Sequence, residues 1–529
     1  MKKTQLATSI ALAAVLALSP AALLACSGDS YSEIKFAAQD TSYAVTSQGG
    51  SAVAYGNNIY FINGYRGYSD TDGKANVWNK VVKGALYRTE LNGARDESDK
   101  LLFRPQSDED GIEFKYTKGK DYFDNEINVV GTTKIAPKTI GTEGYENGGL
   151  FIYDNYAYFA SPNNEKNKTG TVQTISTDFF MMPLSGGKPT KIYTTTEKVT
   201  TSSSAYAFYK YNGSVYLVVL EGTNIVSVKV NPAKAKADDA VFFKVNATSV
   251  YFPVKDTYYK GIDTNTPEDF IYFVRAVGDD DKQNSGTVIE AMRPDGSENF
   301  KVSQSGATET IEAVRDGLLF YRSTEVGKTY IKYTNMHNML MEYSPSYKKA
   351  QTAASDDDKI EEITGMFPSE ITSSITATYA FRADTKSTEV FFVGTNGSTM
   401  TLYQNDVNMP VRTQTLCNAS GTPKFIKNNY LYFAGNNSDY LRVPLFENMD
   451  DFGQEQILAT DTSSATFGCD YVQGYFTYFG KVDDWASGYS YFVKVDGMDG
   501  AEPIFVGTRA SSDIPTEKQI EEAKGETTE

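Results

Sequence analysis

The side chains that could perform acid-base or nucleophilic chemistry are unevenly represented in this chain, which has 529 residues, 67 of them Asp or Glu and one of them His. That histidine, His337, lies in the segment 335–339 (NMHNM), and no nucleophile motif is beside it. A Ser-His-Asp or Cys-His catalytic set needs an imidazole to carry the proton. We therefore expect His337 to occupy a surface or turn position, and we predict no catalytic residues of this kind.

Carboxylates could still act without histidine, because a glycosidase needs only two Asp or Glu residues at a suitable separation. With so many acids, chance proximity is expected, and residues such as Asp295 and Asp496 precede a glycine in a turn pattern. The segments 70–73 (DTDG) and 279–281 (DDD) could bind calcium, yet the first lacks the distal Glu of an EF-hand loop. We predict a non-enzyme without metal or cofactor, and a carbohydrate-active enzyme with paired carboxylates is the alternative.

Trp78 and Trp485 are the candidates for ligand contact. They are the two tryptophans of the chain, and each lies in a polar stretch that follows an aromatic segment. Aromatic side chains at loop tips offer a flat apolar face and a polar edge to a sugar or a peptide. The alternative is that each packs under its own loop.

The elements that would position these residues recur along the chain about every ~40 to 55 residues, a spacing typical of propeller or solenoid repeats. The clearest unit is 428–435 (NNYLYFAG), followed by 440–445 (YLRVPL). Related aromatic strands occur at 59–62, 156–159, 214–219, 270–274, 317–321, 389–393 and 475–479. Pairs such as Asn212-Gly213 and Asp295-Gly296 lie between them, where a tight hairpin requires positive φ.

This repeat predicts an all-β fold, a β-propeller of four-stranded antiparallel blades, with eight blades expected and seven as the alternative. Four-stranded sheets cannot bury both faces alone, and radial stacking covers those faces while leaving short edges. Separate β-sandwiches are a competing interpretation, but the repeat is shorter than the ~100 residues of a sandwich. The propeller is expected over 45–507, with an insertion at 104–145, a polar tract at 348–359 and an acidic flexible tail at 508–529.

The N-terminus has the parts of an export signal, with two lysines, an apolar run at 10–18 and small residues before Cys26. The segment around Cys26 resembles the lipobox of bacterial lipoproteins, in which the cysteine is lipidated after cleavage. We therefore expect a signal peptide at 1–25, a lipidated Cys26 with a linker to residue 44, and an extracytoplasmic protein anchored to the cell membrane. An ordinary secretory signal is the alternative.

Charge and the remaining cysteines restrict the partners and the covalent links. The formal net charge of -17 argues against nucleic acid, which binds cationic surfaces. We expect instead an extracellular protein, peptide or glycan. Cys417 and Cys469 could form a disulfide in an oxidising compartment, or they could be two separate buried thiols.

The repeated phrase with Tyr60, Tyr158, Tyr272, Tyr432 and Tyr478, joined to Leu86-Tyr87-Arg88 in the first unit, resembles the YWTD-like and related propeller domains of Gram-positive surface lipoproteins. The resemblance covers about residues 45–507 and is a structural one, and the Trp-Thr-Asp words themselves are absent. It implies a binding or scaffold module more than a catalyst.

Overall fold

A computed structural model of the chain describes the residues on which the following account rests. Their ranges are 45–50, 52–56, 58–62, 86–95, 101–103, 116–120, 126–130, 133–136, 149–166, 172–185, 189–197, 199, 206–254, 266–277, 286–303, 307–315, 317–353, 369–370, 375–381, 390–396, 399–406, 409–417, 421–427, 430–435, 439–445, 455–459, 470–472, 474–479, 490–494 and 504–506.

Strands dominate these residues. The strands of the first half are β1 (Val45–Thr46), β2 (Ala52–Tyr55), β3 (Asn58–Ile62), β4 (Leu86–Arg95), β5 (Leu101–Phe103), β6 (Tyr116–Lys120), β7 (Glu126–Val130), β8 (Thr133–Ala136), β9 (Phe151–Tyr153), β10 (Tyr156–Lys166), β11 (Val172–Pro183), β12 (Thr190–Thr194), β13 (Tyr206–Tyr211), β14 (Ser214–Glu221), β15 (Asn224–Asn231), β16 (Lys236–Ala237), β17 (Val241–Phe243) and β18 (Ala247–Tyr251).

The second half continues in the same way. Its strands are β19 (Ile271–Ala276), β20 (Thr287–Met292), β21 (Phe300–Lys301), β22 (Thr308–Arg315), β23 (Leu318–Glu325), β24 (Lys328–Asn335), β25 (Ser369–Glu370), β26 (Ile375–Phe381), β27 (Val390–Asn396), β28 (Thr399–Asp406), β29 (Met409–Cys417), β30 (Gly421–Lys427), β31 (Tyr430–Gly435), β32 (Tyr440–Pro444), β33 (Gln456–Ala459), β34 (Asp470–Val472), β35 (Tyr475–Phe479), β36 (Ser490–Lys494) and β37 (Ile504–Val506). Two α-helices, α1 (Met336–Tyr343) and α2 (Pro345–Ala353), lie between β24 and β25.

The strands form antiparallel meanders in chain order, and the chain is an all-β β-propeller with antiparallel four-stranded blades, as predicted. In the described residues, six sheets have four or five strands: β9–β12, β13–β17, β18–β21, β22–β25, β26–β29 and β30–β33. We call these the second to the seventh sheets. The first sheet (β1–β5 with β8) and the last sheet (β34–β37 with β7 and β6) have six strands each.

The regular blades in the described part of the chain therefore number six, not the eight or seven that were predicted. The difference arises at the two ends of the chain, where the meanders are enlarged. Segment 104–145, expected to be an insertion, contains β8, which pairs with β4, and β7, which pairs in parallel with β37. The insertion thus adds strands to the first and the last sheets.

Tyr158, Tyr272 and Tyr432 lie on the second strand of their sheets, and Tyr60 lies on β3, the third strand of the first sheet. Tyr60, Tyr158, Tyr272 and Tyr432 are all fully buried. Burial of such a ring stabilises the fold by roughly 1.5–3 kcal/mol, and it raises the pKa of the Tyr60 hydroxyl to about 12. Their rings contact the next sheet, as when Tyr432 stacks on Phe476 with 5.8 Å between centroids and 10° between ring planes.

Hydrogen bonds from side chains to the backbone join neighbouring sheets. Tyr153 in the second sheet donates to the carbonyl of Phe208 in the third at 2.8 Å. Tyr209 in the third sheet donates to the carbonyl of Pro253 beside the fourth at 2.9 Å. The loop after β1 binds two other sheets in this way. Gln48 donates to the carbonyl of Ile152 in β9, and Ser47 donates to the carbonyl of Tyr471 in β34. Burying these bonds between sheets fixes the relative positions of the blades, because an unpaired buried carbonyl is costly.

The helices α1 and α2 correct two expectations. His337 lies within α1, half-buried, rather than in a turn, and the start of the polar tract at 348–359 belongs to α2. The Asn335 side chain accepts from the Asn338 backbone N–H at 3.2 Å and caps α1. Met336 and Leu340 are buried against the fourth and fifth sheets. These helices form the most prominent departure from the strand repeat in the described residues.

Candidate functional site

A column of stacked side chains runs from the interior to the surface where α1 meets the fourth sheet. At its base, the Arg293 guanidinium lies over the Phe270 ring, 3.7 Å from the centroid. Phe270 contacts Phe300 edge to face, with centroids 6.1 Å apart. Phe300 stacks on Tyr343, with centroids 5.6 Å apart and ring planes at 17°. We call these four residues the aromatic column.

The column ends in an exposed aromatic ring. Tyr343 is the last residue of α1, and 47% of its surface is accessible. Its hydroxyl hydrogen-bonds the neighbouring Glu342 carboxylate, which raises the pKa of Tyr343. The site therefore presents a flat apolar face with a hydroxyl and a carboxylate beside it. Such a face can stack on a sugar ring or on an apolar peptide side chain.

Arg293 holds the base of the column in a buried polar network. Its side chain is fully buried, and its Nε donates to Glu298 Oε2 at 3.0 Å. Its Nη2 donates to Ser346 Oγ at 2.7 Å, at the start of α2. Arg293 and Glu298 both come from the connection between β20 and β21, so the network joins the fourth sheet to the helices.

Glu298 collects hydrogen bonds from the helical segment. Ser344 Oγ donates to Glu298 Oε2 at 2.5 Å, and the Ser346 backbone N–H donates to Oε1 at 2.8 Å. Burial alone would raise the pKa of Glu298, but these bonds and the one from Arg293 outweigh it and lower the pKa. The carboxylate is thus ionised at neutral pH, and its charge is matched by Arg293.

Tyr347 and His337 support the same corner from the helices. Tyr347 is fully buried, and its hydroxyl lies 3.0 Å from His337 Nδ1. Burial raises the pKa of Tyr347, so the hydroxyl stays neutral. The single histidine therefore contacts a buried tyrosine that packs α2 on the sheet, which is a structural role.

The sequence did not identify Tyr343 as a site residue. The signals that could have found it are the Asn335 cap, the i, i+4 spacing of Met336 and Leu340, and Pro345 at the first position of α2. These signals predict a helical segment that ends at Tyr343.

The residues that the sequence did identify lie elsewhere. Cys26, Trp78 and Trp485 are outside the described residues, as are Cys469 and both candidate calcium segments. Cys417 is the last residue of β29. Because Cys469 is not among the described residues, a disulfide between the two stays a prediction, as does the alternative of two separate buried thiols. Trp78 lies between β3 and β4 in the chain, and Trp485 lies between β35 and β36. These strands belong to the first and last sheets, which contact each other through β2 and β34.

Two carboxyl groups with raised pKa occur on β22, the first strand of the fifth sheet. Burial raises the pKa of Glu309 to about 7 and also raises that of Glu312. Glu309 accepts a hydrogen bond from buried Ser303, and Glu312 pairs with Arg322 Nε at 2.5 Å. Each acid therefore has an internal partner that accounts for its position.

Neither a metal cluster nor a membrane-spanning helix occurs in the described part of the chain. There, no three His, Cys, Asp or Glu side chains are grouped so as to hold a metal ion. None of the helices in the same residues has the length and hydropathy of a membrane span.

Comparison with known proteins gives structural neighbours but no family. No protein-family model matches the sequence, and no curated protein matches it. Solved structures of similar shape include a prolyl endopeptidase (9% identity, TM-score 0.39, covering 68% of this chain and 50% of that one) and the Dos1 propeller (7%, 0.35, 63% and 85%). TolB from Acinetobacter baumannii is another (11%, 0.25, 53% and 59%). The chain thus matches only half the length of the endopeptidase.

Proposed function

We propose that the protein is a membrane-anchored, extracytoplasmic β-propeller lipoprotein that binds a protein, peptide or glycan through its loop face. The observation that carries this proposal is the exposed Tyr343 ring, which stacks on Phe300 and is linked through Phe300 and Phe270 to buried Arg293. A ring held in place before binding loses little conformational entropy when the ligand arrives. The role is that of a binding or scaffold module without a cofactor.

The propeller that supports this face is enlarged where its first and last sheets meet. The first and last sheets each contain a four-strand meander, β2–β5 and β34–β37, in addition to their extra strands. β2 contacts both β34 and β9, so the first sheet lies between the last and the second. The two enlarged sheets therefore adjoin each other, which supports our proposal that the sheets share one ring and one loop face.

The membrane anchor rests on Cys26 and the apolar run before it. Two acyl chains give a stable tether where one would be marginal. Metabolic labelling with a radioactive or clickable fatty acid tests the anchor, since the label should be lost in Cys26→Ser. Labelling that persists in this variant would refute lipidation at Cys26.

The ligand class is best tested with the whole protein on a glycan array and a peptide array, with Tyr343→Ala compared with Tyr343→Phe. Stacking should survive the loss of the hydroxyl, so Tyr343→Phe should bind nearly as well as wild type. Tyr343→Ala should lose about tenfold or more in affinity, as aromatic anchors in interfaces do. Equal binding by wild type and Tyr343→Ala would remove this site from consideration.

Trp78 and Trp485 provide a second candidate patch, because the sheets that flank them adjoin each other. The pair Trp78→Ala with Trp485→Ala belongs in the same array experiment. Loss of binding in this double variant, with Tyr343→Ala unaffected, would move the site to the first and last blades. The proposed binding role would stand, and the column would be excluded as its site.

The alternative function is a carbohydrate-active enzyme that uses carboxylates in the propeller cleft. Glu309 favours it, because a carboxyl group with a pKa of about 7 suits a general acid. Its near-complete burial and its bond to Ser303 favour a structural role instead. Release of reducing sugar from a polysaccharide by wild type, and its absence in Glu309→Gln, would reverse our ranking.

A further inference from the structure

The outer edge of the third sheet carries a strand with two adjacent exposed apolar side chains. β17 pairs with β15 on one side, and among the described residues no strand pairs with its other side. Val241 and Phe242 are adjacent on this strand, and they are 52% and 49% exposed. Since neighbouring residues of a strand point to opposite faces, apolar side chains are exposed on both faces of the edge. β17 has only three residues and is flanked by charges, both of which limit pairing at an edge, but it has no charge or proline within it.

Packing of its last residue holds the strand in this exposed position. Its third residue, Phe243, packs against the turn at Gly296 of the fourth sheet, where a Cβ atom would lie 2.2 Å from the Phe243 ring. Phe243 also joins the main hydrophobic cluster of the second to fourth sheets. The backbone edge is therefore prepared for pairing before any partner arrives, which lowers the entropic cost of adding a strand.

Charges on the two sides of β17 have opposite signs. Asp238 and Asp239 precede it, and Lys244 follows it, in the order DDAVFFK over 238–244. All three charged side chains are exposed to solvent. An antiparallel copy of the same segment would place the Lys244 of one chain beside the acidic pair of the other. A parallel copy would place like charges together, which is destabilising.

Register also favours self-pairing. In an antiparallel pair, residues directly opposite each other point to the same face of the sheet. A twofold axis between two copies of one strand must therefore pass beside one residue and its own copy, not between two successive residues. An axis at Val241 places Val241 opposite its own copy, Ala240 opposite Phe242, and Lys244 near Asp238. The pairs then combine a small side chain with a large one in the centre and opposite charges at the two ends.

From these observations we infer that β17 is a homotypic docking edge: two copies of the protein pair antiparallel through β17, with the axis at Val241 and Lys244 against Asp238 of the other copy. The association is weak, because a three-residue strand buries less than the roughly 1,200 Å² of a standard interface. It is independent of the ligand site on α1, so either proposal can fail without the other.

The test is self-crosslinking of the full chain in the cells that express it. Val241→Cys should give a disulfide-linked dimer under mild oxidation, because the Cα atoms of an axial pair lie about 4.5–5.5 Å apart, a separation that a disulfide can span. Ile457→Cys is the matched control, since Ile457 is a 63% exposed apolar residue on β33, the outer strand of the seventh sheet. The wild-type chain, oxidised in the same way, measures any crosslinking through the native cysteines.

Charge exchange then tests the direction of pairing. Adding Lys244→Glu to Val241→Cys should lower the dimer yield about threefold to fivefold through like-charge contact, and further addition of Asp238→Lys should restore it. A dimer with this pattern supports the inference. It is overturned if Val241→Cys crosslinks no more than Ile457→Cys, if the product contains a different protein, or if the second exchange fails to restore the yield. Circular dichroism of each variant confirms that the sheets are retained.

Discussion

Ser47 donates a hydrogen bond to the backbone carbonyl of Tyr471, a residue 424 positions later in the chain. The next residue, Gln48, turns the other way, donating to the carbonyl of Ile152 at 2.5 Å and accepting from the Ile152 N–H at 2.8 Å. In the loop after β1, Ser47 therefore hydrogen-bonds the last sheet, and the adjacent Gln48 hydrogen-bonds the second sheet. Since all four residues are in the buried interior, this short loop joins the two ends of the propeller.

Loss of the Gln48 bonds should loosen that join. Gln48→Ala leaves both polar groups of Ile152 without their partner and should lower the free energy of unfolding by on the order of 2 kcal/mol. Gln48→Glu keeps an acceptor for the Ile152 N–H but loses the donor, so it tests the two bonds separately. Urea denaturation followed by tyrosine fluorescence measures both variants. Unchanged stability in Gln48→Ala would show that the loop does not hold the ring.

A second prediction compares two glycines with positive φ. A Cβ atom added at Gly213 (φ 69°) would have no neighbour within 4 Å, whereas one added at Gly296 (φ 81°) would overlap the Phe243 ring. Gly213→Ala should cost about 1 kcal/mol from backbone strain alone. Gly296→Ala should cost a further 1–3 kcal/mol, roughly, from overpacking.

Thermal denaturation of these two variants measures the difference between their stability costs. Combining Gly296→Ala with Phe243→Ala then separates backbone strain from overlap with the Phe243 ring. If the overlap with the ring is responsible, removing the ring should make the Gly296→Ala substitution no more costly than Gly213→Ala. Equal costs for the two single variants would contradict the packing account.

The Arg293–Glu298 pair predicts a strongly coupled double-mutant cycle. Arg293→Met leaves the ionised Glu298 without its cation and should destabilise the protein by about 3–5 kcal/mol, the usual result of breaking a buried pair from one side. Glu298→Gln in the same background removes the uncompensated charge, so the double variant should be more stable than Arg293→Met. Chemical denaturation of the four proteins measures the coupling. Additive costs would show that the two groups act independently.

The physical basis of each fold element explains which parts could be predicted from the sequence. Tyr158 and Tyr432 repeat because their sheets bury this position, and Asn212-Gly213 marks a turn because positive φ restricts residue choice. These are local rules. The position of β7 beside β37 depends on pairing between distant segments, and segment 104–145 has no repeat phrase to indicate it.

The candidate site was beyond prediction for a related reason. Tyr343 is one of 37 tyrosines, and its value as a contact residue comes from Phe300 and Arg293, which belong to another sheet. The sequence favoured the tryptophans because their rarity is visible without the fold. The backing of an exposed ring by a buried cation is visible only in three dimensions.

Glu309 should make stability depend on pH near neutrality. Burial raises the pKa of its carboxyl from 4.5 to about 7, against the opposing hydrogen bond from Ser303 and the attraction of Lys332, while Glu325 acts in the raising direction. The folded protein therefore holds this proton more tightly than the unfolded chain. Its contribution is fully present below pH 4.5 and is lost as the pH rises through about 7.

The total change from this one group is on the order of 3 kcal/mol. Glu309→Gln keeps the shape of the side chain and removes the titration, so it should gain stability relative to wild type at pH 8.5 and show little difference at pH 5. The difference between the two unfolding free energies, measured by urea denaturation across this range, isolates Glu309 from the other acids, whose contributions are common to both proteins. A difference that is constant with pH would mean that Glu309 is ionised throughout, and hence that Lys332 and Ser303 compensate its burial completely.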